Sequence, residues 1–258
     1  MSMVDYRNVA LGDQNLFLIE DNVMFVVDEI AEGTQGIRRQ RLGGATEKSV
    51  PTTLHAVRIY EELNRVLSGR VDFNEMIAKV SESFRQKMLQ DIYTLWEGVA
   101  ADDMGGAEYF PEAGDYDADD LLDIVAHVEA AAGKPATIVG TKKALRRIAP
   151  DIESFDSKND LYNLGYYGKF YGTPVVAIPN RHKLNSTEFV MDDDTLTIVA
   201  SPEKPIKFVT EGDPLVIMDD PLKNADLTHN FFYAERYGLA IILANNTGIG
   251  RYKMNPKA

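Results

Sequence analysis

The sequence contains no cysteine, which excludes disulfide bonds, thiolate metal ligands and cysteine nucleophiles. No apolar run approaches the roughly 18 residues that a membrane-spanning helix needs. The first residues have neither the basic nor the apolar region of a secretory signal. A chain without cysteine is compatible with a reducing cytoplasm. We therefore expect a soluble protein without a membrane partner.

Basic residues are also scarce. The chain has 27 Lys and Arg against 40 Asp and Glu, which gives a net charge of −13. Because tight DNA binding requires a face that neutralises several phosphates, this balance argues against a protein that grips nucleic acid. With 258 residues, 45% of them hydrophobic, the chain has enough material for a sizeable core.

Motifs for catalysis or metal binding are absent or incomplete. Residues 115–120 place acids at the first, third and fifth positions of a calcium loop, but Asp120 occupies the position that requires glycine. Gly248 and Gly250 match only part of a dinucleotide-binding fingerprint. The 4 histidines do not have metal-ligand spacing. We expect no catalytic residue, no cofactor and no metal site, and hence no enzyme.

The longest regular pattern predicts a helix over residues 72–99, about 40 Å long. Its apolar residues recur at steps of three or four, which is the helical period. They predict a core-facing side formed by Phe73, Ile77, Val80, Phe84, Met88, Ile92, Leu95 and Val99. Asp72 and Glu75 form a capping-box-like pair, and Gly98 marks the end. Such a helix needs a broad surface to lie across.

Two extended segments precede this helix. Residues 23–30 and 50–60 are rich in β-branched and aromatic side chains, which predicts two strands joined by a long polar tip. The tip is well beyond the length of an ordinary hairpin turn, and loops of that kind are usually functional or disordered. We expect a large hairpin that projects from its parent domain.

The tip of this hairpin reverses the sign of the charge. Over residues 33–50 four basic residues stand against one acid, a balance of +3. The basic residues are Arg38, Arg39, Arg41 and Lys48. By contrast, residues 102–120 contain eight acids and no Lys or Arg. Either both segments are solvated loops, or the basic loop of one copy docks on the acidic surface of a neighbour and sets the register between them.

The remainder mixes helices and strands. Helices are predicted over residues 119–132 and 141–148, on either side of a short buried strand at 136–139. Further strands are predicted at residues 173–178, 188–191, 195–200, 206–209, 215–218 and 230–243. A tyrosine cluster would form a binding groove, an interface or a small core, and comprises Tyr162, Tyr166, Tyr167 and Tyr171. The predicted fold class is α+β.

This order of an arm, a projecting hairpin, one long helix and a mixed α/β portion resembles the major capsid protein of tailed bacteriophages, the Hong Kong 97-type fold. The residues that carry the resemblance are NVMFVVDEIAEGTQGIRRQRL, VRIYEELNRVLSGRVDFNEMIAKVSESF, KPATIVGTKKALRRIAPDI, YYGKFYGTPVVAIPN, KPIKFVTEGDPLVI and ERYGLAIILANNTGIGRYKM. None of these is a short invariant signature. The resemblance lies in their order and covers nearly the whole chain.

The resemblance implies a division of the chain. Residues 1–22 would be the N-terminal arm and 23–62 the extended loop. The peripheral domain would comprise 63–117 and 223–258, with the spine helix at 72–99, and the axial domain would be 118–222. Copies would form the hexamers and pentamers of an icosahedral shell around double-stranded DNA.

The resemblance also implies partners and a location. Scaffolding, portal and decoration proteins would join the shell, and packaged DNA would make only weak, non-specific contact with it. Assembly would take place in the host bacterial cytoplasm, and the protein would end in the virion. Many relatives carry an N-terminal scaffolding segment, which here is absent, separately supplied or trimmed. Since Lys48 is the only lysine of the tip, we expect no Lys–Asn cross-link between subunits.

Two other functions fit the same sequence. An encapsulin-like nanocompartment shell of the same fold would enclose an enzyme cargo instead of DNA. A metabolic α/β enzyme with a protruding hairpin would stay monomeric or dimeric.

Overall fold

The computed structural model describes residues 3–19, 25–32, 36, 38–41, 43–99, 109, 110, 114–148, 162–201, 203–224, 226–243 and 247–255. These residues form two five-stranded sheets, a two-stranded ribbon, one long helix and three shorter ones. The helices are α1 (Leu63–Leu67), α2 (Phe73–Glu97), α3 (Ala118–Ala132) and α4 (Lys142–Leu145). The strands are β1 (Val4–Val9), β2 (Leu16–Ile19), β3 (Thr46–Ser49), β4 (Thr53–Glu62), β5 (Thr137–Gly140), β6 (Lys169–Phe170), β7 (Thr173–Ala177), β8 (Thr195–Ala200), β9 (Ile206–Glu211), β10 (Leu215–Met218), β11 (Thr228–Ile241) and β12 (Gly248–Lys253). The fold is α+β, as predicted.

The first sheet is built on β11. Along one edge β11 pairs antiparallel with β4, and along the other it pairs antiparallel with β10 and then β9. β1 adds in parallel to the outer edge of β9, so the start of the chain becomes part of this sheet. The central strand predicted at residues 230–243 is confirmed, because β11 has partners on both edges.

The second sheet has the strand order β12-β8-β5-β7-β6 and is covered by α3. β5 and β7 are parallel, and the other pairs are antiparallel. Asp117 caps the start of α3, because its carboxylate accepts a hydrogen bond from the Asp119 backbone N–H, and Gly133, which has a left-handed φ of 63°, caps its end. Fully buried side chains between helix and sheet include Leu121, Val128, Ile138, Leu145, Leu196, Ile198 and Met254.

Gly248 and Gly250 have a packing role in this core. A Cβ at Gly248 would lie 2.4 Å from the Val128 carbonyl oxygen, and a Cβ at Gly250 would lie 2.7 Å from Ile124 Cγ2. Both distances are shorter than a carbon atom permits. The two glycines therefore allow β12 to approach α3, which accounts for the pattern that partly matches a nucleotide fingerprint.

α2 confirms the predicted long helix. Asp72 Oδ1 accepts a hydrogen bond from the Asn74 backbone N–H at 2.9 Å, and Gly98 follows the last turn. Glu75 pairs with Lys79 Nζ at 2.8 Å, one turn further along.

The C-terminal end of α2 contacts both sheets. Trp96 is buried in an apolar cluster with Val199 of β8, Ile206 of β9 and Ile249 of β12. Since β9 belongs to the first sheet while β8 and β12 belong to the second, this end of the helix lies at their junction.

Three predicted elements differ from the structure. Residues 25–30 are not a strand; the paired base of the hairpin is β2 with β3, and β4 pairs with β11 instead. Residues 188–191 contain only an isolated bridge between His182 and Phe189. Thr141 does cap α4, but the helix ends at Leu145. In each case the local residue pattern favours a strand or a helix, but the element is stable only where another part of the chain packs against it. The domain boundaries stay a prediction.

Candidate inter-subunit surface

Side chains as well as backbone fix β1 to the first sheet. Lys207 on β9 is only 6% exposed, and its Nζ lies 3.1 Å from Asp5 Oδ2. A buried ammonium group requires such a partner. The hydroxyls of Tyr6 and Thr210 are 2.9 Å apart, and the Tyr6 ring stacks on Phe208. This part of the predicted arm therefore lies on its own subunit.

The base of the loop is held by a reciprocal pair of hydrogen bonds. Asn15 Nδ2 donates to the Val50 carbonyl at 2.8 Å, and the Val50 backbone N–H donates to Asn15 Oδ1 at 2.7 Å. Phe17 and Val50 are buried in a small apolar cluster with Val209. The Arg7 guanidinium lies 4.0 Å from the centre of the Phe17 ring, a cation–π contact. The two ends of the loop thus meet on a packed base.

Beyond this base, the loop carries apolar side chains that its own subunit leaves uncovered. Phe25 is 54% exposed, Val26 68% and Val27 93%. The Gln40 side chain donates to the Val26 carbonyl at 2.6 Å and accepts from its N–H at 2.8 Å, which joins the two sides of the loop. The predicted basic residues are all exposed: Arg38, Arg39, Arg41 and Lys48. The loop therefore presents apolar and cationic groups close together in sequence.

The predicted core face of α2 is only partly covered. Val80 and Val99 are buried, whereas the other described members are half-buried: Ile77, Phe84, Met88, Ile92 and Leu95. The Phe84 ring meets Tyr233 edge to face, with centroids 4.7 Å apart. The side chain of Phe73 lies outside the described residues. Whether the whole face is core stays a prediction.

Two buried side chains that hold this helix in place, Trp96 and Tyr237, were not predicted from the sequence. Trp96 is 5% exposed, and Tyr237 of β11, which is 2% exposed, donates a hydrogen bond to Asp91 Oδ2 at 2.8 Å. Lys87 pairs with the same carboxylate. Burial, and then the bond to Asp91, raise the pKa of Tyr237 well above its usual value. The available signal was that the single tryptophan of the chain directly follows Leu95, a predicted face residue.

A second exposed apolar surface lies on the first sheet. The four residues of β10 are each about half exposed: Leu215 52%, Val216 49%, Ile217 51% and Met218 52%. Among the described strands, none pairs with the outer edge of β10. Contiguous exposed apolar residues and unpaired strand edges are typical of protein–protein contact sites.

The carboxylate of Asp219 stabilises the turn beside this exposed surface. Asp219, in the turn after β10, accepts hydrogen bonds from Asn224 Nδ2 and from the Asn230 backbone N–H, both at 2.6 Å. These bonds, led by the one from Asn224, lower the pKa of Asp219.

The predicted acidic surface lies partly outside the described residues, because these omit 101–108 and 111–113. In the described part of the chain, no group of three His, Asp or Glu residues is placed to hold a metal ion. Of the described helices, none has both the length and the apolar character needed to cross a bilayer.

Solved structures of phage-type capsids share this fold. The mature capsid of bacteriophage PhiM1 matches with a TM-score of 0.61 and 11% identity, over 100% of this chain and 87% of that one. The capsid of the native GTA particle matches with a TM-score of 0.59 and 13% identity, over 98% and 89%. Microbacterium phage Oxtober96 matches with a TM-score of 0.57 and 13% identity, over 97% and 89%. The fold is of the Hong Kong 97 type, which the capsid proteins of these particles share.

The chain belongs to the family described as SPbeta prophage-derived putative capsid protein YonB, whose family model matches residues 1–249. None of the curated proteins matches it. Family and fold together confirm the predicted function of a phage major capsid protein, a structural protein located in the virion capsid. They do not favour the alternatives of a nanocompartment shell or a metabolic enzyme.

Proposed function

We propose that copies of this chain assemble, as hexamers and pentamers, into a closed icosahedral shell that encloses the double-stranded DNA genome of a tailed phage. The observation that carries the proposal is the exposure of apolar side chains at residues 25–27 and on β10. A fully buried side chain of this size contributes roughly 1.5–3 kcal/mol. Contacts of this kind, repeated around a shell, stabilise it even when each one is weak.

The extended loop determines which surfaces of neighbouring subunits meet. Arg38, Arg39, Arg41 and Lys48 dock on an acidic surface of the neighbouring subunit, for which residues 102–120 are the sequence candidate. Charge complementarity of this kind sets register and accelerates encounter more than it raises affinity.

The same charge distribution suits the contents of the shell. A net charge of −13 repels a polyanion, so packaged DNA makes weak, non-specific contact with the wall and can move along it during packaging. Scaffolding, portal and decoration proteins are the further partners expected of this class.

Charge reversal in the loop tests the proposal. We expect the double substitution Arg38→Glu and Arg39→Glu to leave the subunit folded, with a melting temperature within about 2 °C of the natural protein, since both side chains are exposed. The variant should sediment as small species, whereas the natural protein sediments as large particles. The matched control, Arg38→Lys with Arg39→Lys, keeps the charge and should assemble. Normal particles from the glutamate variant would show that the loop has no such role.

A further inference from the structure

One carboxylate contacts both limbs of the subunit, the arm and the extended loop. Glu211 ends β9, and its Oε1 accepts a hydrogen bond at 2.9 Å from the backbone N–H of Gly12, in the turn after β1. Its Oε2 accepts from the hydroxyl of Thr52, which lies in the extended loop just before β4. Arg236 Nε, on the central strand β11, lies 4.0 Å from the same oxygen. The side chain therefore connects four segments of the chain.

The two limbs are also bonded to each other at this place. Asn15 and Val50 exchange the two hydrogen bonds described above, three residues after Gly12 and two before Thr52. The arm and the extended loop therefore both bind the Glu211 carboxylate and also bind each other.

The surrounding backbone leaves little room for adjustment. The Gly12 φ is 88° and the Gly212 φ is 72°, both in the left-handed region that favours glycine. The Gly212 N–H donates to the Val9 carbonyl at 2.8 Å. On the other side, a Cβ added to Gly238 would lie 2.2 Å from the Pro51 carbonyl oxygen, so the end of the loop lies directly against β11.

We propose that Glu211, together with Asn15, is a positioning device that sets the direction in which the extended loop leaves the first sheet relative to the arm, so that the two limbs move as one unit. A carboxylate suits this role because each of its oxygens accepts a separate bond. Glutamine keeps one acceptor oxygen, and alanine keeps none. The consequence for assembly rests on the proposed shell function, whereas the consequence for the subunit does not.

Hydrogen exchange of the full-length protein, measured by mass spectrometry on dissociated subunits, tests the device. We expect Glu211→Ala to speed exchange about tenfold in peptides covering residues 10–19 and 46–53 together, since the bonds lost are to a charged acceptor. Peptides from β5 and β8 should be unchanged. Glu211→Gln should give a smaller change in the same two segments. The matched control is Glu235→Gln, because Glu235 accepts a bond from Tyr233 at 3.1 Å on β11.

The possible results separate the two proposals. Faster exchange in only one segment, or in neither, would overturn the coupling of the limbs. If the alanine variant fails to fold, the glutamine variant decides by the same criterion. Particle yield is the second readout: we expect about a tenfold loss for Glu211→Ala relative to the Glu235→Gln control. Normal yield despite faster exchange would overturn a role in assembly, and absence of particles from the natural protein would count against the shell function alone.

Discussion

Truncating Trp96 is expected to be the most costly single change on α2. The side chain is 5% exposed and packs on Val199, Ile206 and Ile249, so its loss leaves a cavity at the junction of both sheets. Burial of about 150–250 Å² at roughly 25 cal/mol per Å² gives an upper limit near 4–6 kcal/mol. Truncations of this type typically cost about 3–5 kcal/mol, and we expect Trp96→Ala to fall in that range.

Phe84→Ala provides the comparison. Phe84 lies on the predicted core face but is only half-buried, with its ring against Tyr233. The sequence alone predicts about 3–5 kcal/mol for this truncation if the position is core. Because the subunit leaves part of the ring exposed, we expect about 1–2 kcal/mol for the isolated subunit.

The assay is urea unfolding of dissociated subunits followed by far-ultraviolet circular dichroism. Fluorescence is unsuitable, since Trp96 is the only tryptophan. Trp96→Phe should recover most of the lost stability. Two results would refute the conclusion that α2 is anchored at the junction of the two sheets. One is a loss of stability below about 1 kcal/mol for Trp96→Ala, and the other is a loss for Phe84→Ala that exceeds the loss for Trp96→Ala.

Three further results follow from the packing and the electrostatics. Gly250→Val should lower stability by at least about 1–3 kcal/mol in thermal melts, because α3 fills the space, whereas Gly36→Ala, with open space around it, should be neutral. Tyr237→Phe should cost about 1.5–3 kcal/mol by urea unfolding, since the Asp91 carboxylate loses a donor; no loss would contradict that bond. Hydrogen bonds from Thr52 and then Gly12 lower the pKa of Glu211 below its ordinary value of 4.5. The ionised carboxylate therefore stabilises the folded subunit fully above pH 4.5, and this stabilisation is lost as the pH falls through the lowered pKa of the folded state. Limited proteolysis at decreasing pH should therefore cleave the extended loop faster once Glu211 is protonated. The same dependence of cleavage on pH in the Glu211→Gln variant would contradict this role of Glu211.

The long helix could be predicted because its signals are local. A capping aspartate, an apolar repeat and a terminal glycine all lie within residues 72–98, and α2 has nearly those bounds. The positions of two strands in the second half of the chain could also be predicted, since short β-branched runs at residues 195–200 and 206–209 match β8 and β9.

The pairing of the loop could not be predicted in the same way. Residues 25–30 have strong strand propensity but pair with no strand of the described part of the chain, while β2, with only four residues, pairs with β3 because the packed base brings them together. The bond from Thr52 to Glu211 joins positions 159 residues apart, and no local pattern encodes it. The exposed state of β10 is equally a property of the folded sheet.

Electron microscopy of the purified full-length protein tests self-association most directly. We expect closed particles of uniform size, built from this chain alone or with an added scaffolding protein. A preparation that remains monomeric at high concentration under both conditions, with the extended loop folded against its own subunit, would contradict the proposed shell.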